Sequence, residues 1–112
     1  MLKKTYRLLP KADFERVYNS GKKAKGEFGM LIYLEDKNLA NPVFGIVVSK
    51  KIGKANKRNK FKRRVRSVIT NLINEGFFTN RKGKITYIAF KEPSEFKPLE
   101  SELLKQFNEI FK

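Results

Sequence analysis

Apolar positions along the chain recur first at helical spacing, then at strand spacing, and then alternate between the two. In residues 11–20, Phe14, Val17 and Tyr18 fall at i, i+3 and i+4, and Gly21 stands where a helix stops, so the spacing predicts a short helix. From Gly26 to Asp36 the period drops to two. Phe28, Met30, Ile32 and Leu34 are expected on one side of this strand, with Gly29, Leu31 and Tyr33 on the other. Residues 36–42 carry turn chemistry, after which the β-branched run Val43–Ser49 predicts a second strand and Lys84–Phe90 a third. All three strands are apolar on both faces, so one face must pack on helices and the other is a candidate apolar groove. Between the second and third strands, Asn56–Glu75 reads as the longest helix, ended by Gly76. A last helix is expected from about Pro98, with Leu99, Leu103, Phe107, Ile110 and Phe111 as its apolar stripe. The resulting order, α-β-β-α-β-α, predicts an α+β sandwich formed by one domain over residues 1–112.

Composition narrows what such a domain does. Lys and Arg number 26 against 11 Asp and Glu, a formal net charge of +15. An imbalance of that size favours a polyanionic partner, nucleic acid before an anionic membrane surface. The chain has neither cysteine nor histidine, which excludes thiol nucleophiles, imidazole acid–base chemistry and the usual zinc ligand sets. No pair of acidic residues has convincing metal-ligand spacing, so neither a catalytic residue nor a metal ligand is assigned to the chain, and unaided nuclease chemistry is not expected. The basic N-terminus is followed only by Leu8-Leu9-Pro10 before polar residues resume. No secretory signal or spanning segment is therefore expected, and a cytoplasmic protein is.

The cations are concentrated. Acidic residues are absent from Lys37 through Asn74, and ten of the seventeen positions from Lys50 to Arg66 are basic. Phe61, Val65, Val68, Ile69, Leu72 and Ile73 thread this run with an apolar stripe, so it is a docked helix and not a solvated tail. At about 100° per residue from Phe61, Arg58, Lys62 and Arg66 form one row beside the stripe, near 60°, 100° and 140°. Asn59 and Arg63 lie further round, with Lys57, Lys60 and Arg64 on the opposite flank. Along each row the charges are spaced by about 6 Å, suited to successive phosphates. Lys50, Lys51 and Lys54 surround Gly53 on the approach to the helix, where backbone N–H groups and a helix N-terminus make a ready anion site. A P-loop is excluded by the glycine spacing.

The run Ser49-Lys50-Lys51-Ile52-Gly53-Lys54-Ala55, followed by Arg58-Asn59-Lys60, Lys62-Arg63 and Arg66, resembles the signature of the bacterial ribonuclease P protein family. Lys60 stands where the family usually has arginine. Asp13-Phe14-Glu15-Arg16-Val17-Tyr18 with Gly21 is similar to the family's first helix, and the order of elements matches over nearly the whole chain. The resemblance implies a left-handed βαβ crossover, shared with a ribosomal protein S5 domain and with domain IV of translocation factor G. It implies that a large RNA carries out phosphodiester hydrolysis with Mg²⁺, while the protein binds no cofactor of its own. It further implies ribonuclease P RNA and precursor tRNA as partners; DNA and membrane are not expected, because no dimer interface or minor-groove arm is evident and the apolar stripe of the basic helix is needed for the core. Carried over by position, Lys50, Lys51, Lys54, Arg58, Asn59, Lys60, Lys62, Arg63 and Arg66 would face the catalytic RNA. A cleft for the 5′ leader of precursor tRNA would be lined by Phe14, Tyr18 and Tyr33, with Arg58 and Lys62 nearby. Periodicity alone favours the core for Phe14 and Tyr18, an order the resemblance reverses, and Phe44 reads as core. A ribosomal or ribosome-assembly protein that binds rRNA is the alternative reading.

Overall fold

The computed structural model describes residues 11–39, 42–79, 82–91 and 96–111, with side chains throughout except at residues 11–14 and 96. Helix α1 (Lys11–Ser20) leads into four strands, β1 (Lys22–Lys25), β2 (Gly29–Glu35), β3 (Val43–Val48) and β4 (Gly83–Ala89). Between β3 and β4 lie a short 3₁₀ turn (Lys50–Ile52) and α2 (Ala55–Asn74), and α3 (Phe96–Ile110) follows β4. The α+β class and the three expected helices hold. The expected order lacked β1, whose sequence Lys-Lys-Ala-Lys has a single apolar side chain and therefore no alternation to detect. A short lysine-rich strand at a sheet border blunts pairing with other chains, and β1 is such an edge.

The sheet order is β1-β2-β4-β3. β4 lies antiparallel to β2 and parallel to β3, pairing Leu31 with Tyr87 and Ile46 with Tyr87. Its interior position explains why nearly all of β4 is buried. One face of the sheet presents Ala24, Leu31, Phe44, Val48, Ile85, Tyr87 and Ala89 to α2 and α3, and these residues share one core. Phe28, in the turn before β2, joins that core and not the side of Met30. The α2 stripe seats Phe61, Val65, Val68, Ile69 and Leu72 there, each at most 5% exposed. At about 1.5–3 kcal/mol per buried large apolar side chain, this stripe fixes α2 firmly against the sheet.

α2 ends in a Schellman motif. Gly76 has φ +80°, the Phe77 N–H donates to the Leu72 carbonyl at 3.0 Å and the Gly76 N–H to that of Ile73 at 3.1 Å. This reversal delivers Phe77 and Phe78 to Phe107 of α3, with ring centroids 6.0 and 5.5 Å away. α3 is fastened to the first hairpin by polar contacts. The Gln106 amide nitrogen donates to the Ala24 and Gly29 carbonyls at 2.9 and 3.0 Å, and the Glu102 carboxylate accepts from the Phe28 N–H at 3.1 Å. α1 packs on the other face, against β2 and β4. There Val17, Ile32 and Thr86 are fully buried.

Candidate nucleic-acid interface

The packing of α2 decides which of its cations are free to act. Because Phe61 and Val65 point into the core, Arg58, Lys62 and Arg66 emerge half-buried along its margin, while Asn59, Lys60 and Arg63 are exposed on the outside. Burial of the Arg58 Nε leaves that atom without a hydrogen-bond partner. The base of its guanidinium is thus held in direction by packing along the helix margin. The outer side of α2 forms a groove of about 660 Å³ whose described lining includes Asn56, Lys60, Arg63, Arg66 and Thr70.

The helix begins beside further cations. Ser49 accepts the Lys51 N–H on its hydroxyl at 3.2 Å, and the Gly53 N–H donates to the Lys50 carbonyl at 3.1 Å, closing the 3₁₀ turn. Gly53 takes φ +127°, a region that side chains rarely adopt, so the turn needs glycine before the helix starts. Lys54 is the N-cap but makes no side-chain cap bond, and the first turn has no acidic residue. Lys50, Lys51, Lys54 and Lys57 are all exposed around this uncapped positive end.

The face under α1 is only partly covered. Lys25 of β1, Met30 of β2, Ile88 of β4 and Val47 of β3 are register neighbours running across the sheet. Met30 and Ile88 are half-buried and Val47 is 40% exposed, which leaves an apolar shelf beside α1 with a lysine at one end. Tyr18 is 42% exposed, and the Lys23 ammonium lies 4.6 Å from its ring centroid, placing the tyrosine toward the β1 edge of the same face. These are the groups single-stranded nucleic acid uses, aromatic or apolar platforms bordered by cations.

The expected leader cleft is gathered only in part. Tyr33 is on the opposite side of the sheet, its ring 4.5 Å from that of Phe111 and its hydroxyl donating to the Lys82 carbonyl at 3.0 Å. Its partner in register, Ile85, faces the α2–α3 core, and the strand pleat carries Tyr33 with it. Tyr33 is therefore a packing residue and not part of the shelf. Phe14 belongs to α1, but its side chain lies outside the described residues. Arg58 and Lys62 are on the helix that packs the other face of the sheet. Periodicity drew no attention to Lys23, Lys25, Met30, Val47 and Ile88, which form or border the shelf. Placing Phe44 in the core already implied, by alternation, that Val47 points the other way.

Acidic groups do little in either region. Burial raises the Glu102 carboxyl above its ordinary range, opposed by backbone N–H donors from Phe28 and Glu27, but Glu102 faces the first hairpin and not α2. Among the described residues no group of three or more His, Cys, Asp or Glu could hold a metal ion. No described helix is long and apolar enough to cross a membrane.

A family model described as Ribonuclease P matches residues 2–112. The chain is 40% identical over 76 residues to the ribonuclease P protein component of a Pseudanabaena strain, covering 67% of this chain and 66% of that protein. It is 42% identical over 78 residues to that of Microcystis aeruginosa, covering 66% and 65%. These matches thus span just under two thirds of the relatives' length. Among solved structures, the RNase P protein of Thermotoga maritima, in complex with 1-(4-fluorophenyl)-2-thiourea, is similar with TM-score 0.78 and 28% identity, covering 93% of this chain and 99% of that one. The Staphylococcus aureus RNase P protein gives TM-score 0.78 and 26% identity, with 96% and 98% covered.

Proposed function

As a member of the ribonuclease P protein family, the chain is, we propose, the protein subunit of a ribonucleoprotein that removes the 5′ leader of precursor tRNA in the cytoplasm. The observation that carries this reading is the docked basic helix. Of the ten cations between Lys50 and Arg66, seven stand on this core-packed element in fixed directions and three on the turn that leads into it, with no acid among them. α2 and the 3₁₀ turn bind the catalytic RNA, and the shelf of Met30, Ile88 and Val47 with Tyr18 receives the single-stranded leader.

In this division of labour the chain's residues bind and orient. Arg58, Lys62 and Arg66 neutralise phosphates along one side of α2, and Lys60 and Arg63 do so on its outer side. Unstacked leader bases lie on apolar and aromatic side chains, a contact tolerant of sequence because every base has a flat face. Lys23 and Lys25 follow the backbone at the β1 edge. In this reading hydrolysis and its Mg²⁺ belong to the RNA, as the family resemblance implies.

The deciding experiment is cleavage of a precursor tRNA by a bacterial ribonuclease P RNA at low Mg²⁺, with and without this protein. Cleavage at the mature 5′ end that depends on added protein supports the assignment. Binding of RNA with that cleavage unaltered refutes it and favours a ribosome-associated role.

A further inference from the structure

The groove on the outer side of α2 extends past its cations. Ser67, Thr70 and Asn71 continue the lining begun by Lys60, Arg63 and Arg66. From Asn56 to Asn71 the groove follows about 22 Å of helix, the length of a few nucleotides. No acidic residue is among its described lining, so its charge complements a polyanion. The cations occupy its middle, and neutral side chains that both donate and accept hydrogen bonds occupy its far end.

Thr70 distinguishes this end from an ordinary solvated surface. Threonine within a helix commonly satisfies its hydroxyl on a carbonyl of the preceding turn. The Thr70 Oγ1 is buried and has no hydrogen-bond partner. A buried hydroxyl without a partner costs stability, which a ligand able to donate or accept would recover once χ1 turns between the two rotamers threonine uses in helices and brings the hydroxyl into the groove. Lysine and arginine at phosphates position a strand but carry no information about which nucleic acid it is. The ribose 2′-hydroxyl, both donor and acceptor, is the group that separates RNA from DNA. Threonine hydroxyl and asparagine amide match it in both roles.

We propose that the Ser67–Asn71 end of this groove binds ribose 2′-hydroxyls of the RNA strand whose phosphates lie on Lys60, Arg63 and Arg66, making Thr70 and Asn71 specificity-determining residues of the interface. This rests on the reading of α2 as an RNA-binding helix. The phosphate contacts supply strength on any backbone, and the neutral end makes that strength selective for RNA.

The test uses the full chain and a bacterial ribonuclease P RNA transcript, titrated over a series of salt concentrations. A single-stranded RNA oligonucleotide and its 2′-deoxy counterpart are titrated in parallel. Thr70→Val with Asn71→Ala should weaken transcript binding about tenfold, consistent with two lost hydrogen bonds, and leave the salt slope unchanged. The same pair should narrow the preference for the RNA oligonucleotide over the deoxy one. Thr70→Ser, which keeps the hydroxyl, should bind like the parent. Lys60→Ala with Arg63→Ala should flatten the slope. Parental binding by the Thr70/Asn71 pair beside an impaired Lys60/Arg63 pair overturns the proposal while the RNA-binding helix stands. Parental binding and slope for both pairs removes the helix reading itself. An impairment by Thr70→Ser equal to that of Thr70→Val also overturns it, because the effect is then packing and not the hydroxyl.

Discussion

Replacing Arg58 and Lys62 together by alanine tests whether the row beside the α2 stripe neutralises phosphates. The two side chains are half-buried and one helical turn apart, about 6 Å along the axis. Each phosphate neutralised contributes about 0.7 to 0.9 to the slope of log affinity against log salt, so the double variant should lose about 1.4 to 1.8 of slope. Between 50 and 200 mM salt, the parent's advantage over the variant should then shrink about seven- to twelvefold. The assay is filter binding or fluorescence titration of a ribonuclease P RNA transcript at several salt concentrations. Thermal unfolding of both proteins is measured alongside. Equal folding with parallel salt lines would refute the placement of this row against phosphate, whatever the absolute affinities. Equal slopes with a uniform loss at every salt would mean that the two residues matter through packing alone.

The shelf makes a different demand. Val47→Glu places an anion on an exposed position of β3 and should weaken precursor tRNA while sparing mature tRNA, with about 1 kcal/mol or less lost from stability; equal losses for both tRNAs would rule out leader binding there. Phe107, fully buried among the rings of Phe77, Phe78 and Phe111, should cost about 3–5 kcal/mol on change to alanine in urea unfolding, and a loss below 1 kcal/mol would contradict the packing described. Glu102 has a raised carboxyl, so the folded chain holds that proton more tightly than the unfolded chain does. Its contribution is greatest below its ordinary value of 4.5 and declines as pH climbs through the raised folded value. The stability of Glu102→Gln relative to the parent should therefore increase from pH 4 to pH 7, and a constant difference would exclude a folded-state shift.

Much of this arrangement was legible from local pattern. The α2 stripe was visible because its apolar side chains recur at 3.6-residue spacing through a run otherwise hostile to burial. The Gly76 stop was equally visible, since only a residue tolerant of positive φ suits that reversal. Tyr33 was misplaced for a physical reason. β2 is apolar on both faces, so alternation separates Leu31 and Tyr33 from Met30 and Ile32 without telling which pair meets α2 and α3. That choice is made by distant partners, Tyr87 and Ile85, some fifty residues away in sequence. β1 escaped notice because its strand character comes from pairing with β2 and not from its own lysines. The Thr70 hydroxyl gave no signal either, since a lone threonine in a basic helix looks solvated until the groove around it is seen.

The position of α2 in the chain bears on how quickly and selectively it can bind. Its two ends lead into β3 and β4, neighbouring parallel strands, so the helix is tied at one end to a border strand and at the other to an interior strand of the sheet. A surface held that firmly has little to rearrange when its partner arrives, and association is governed by electrostatic encounter more than by a folding step. Added salt should then act chiefly on the rate of arrival, while the lifetime of the complex is set by the close hydrogen bonds and packing that form after contact.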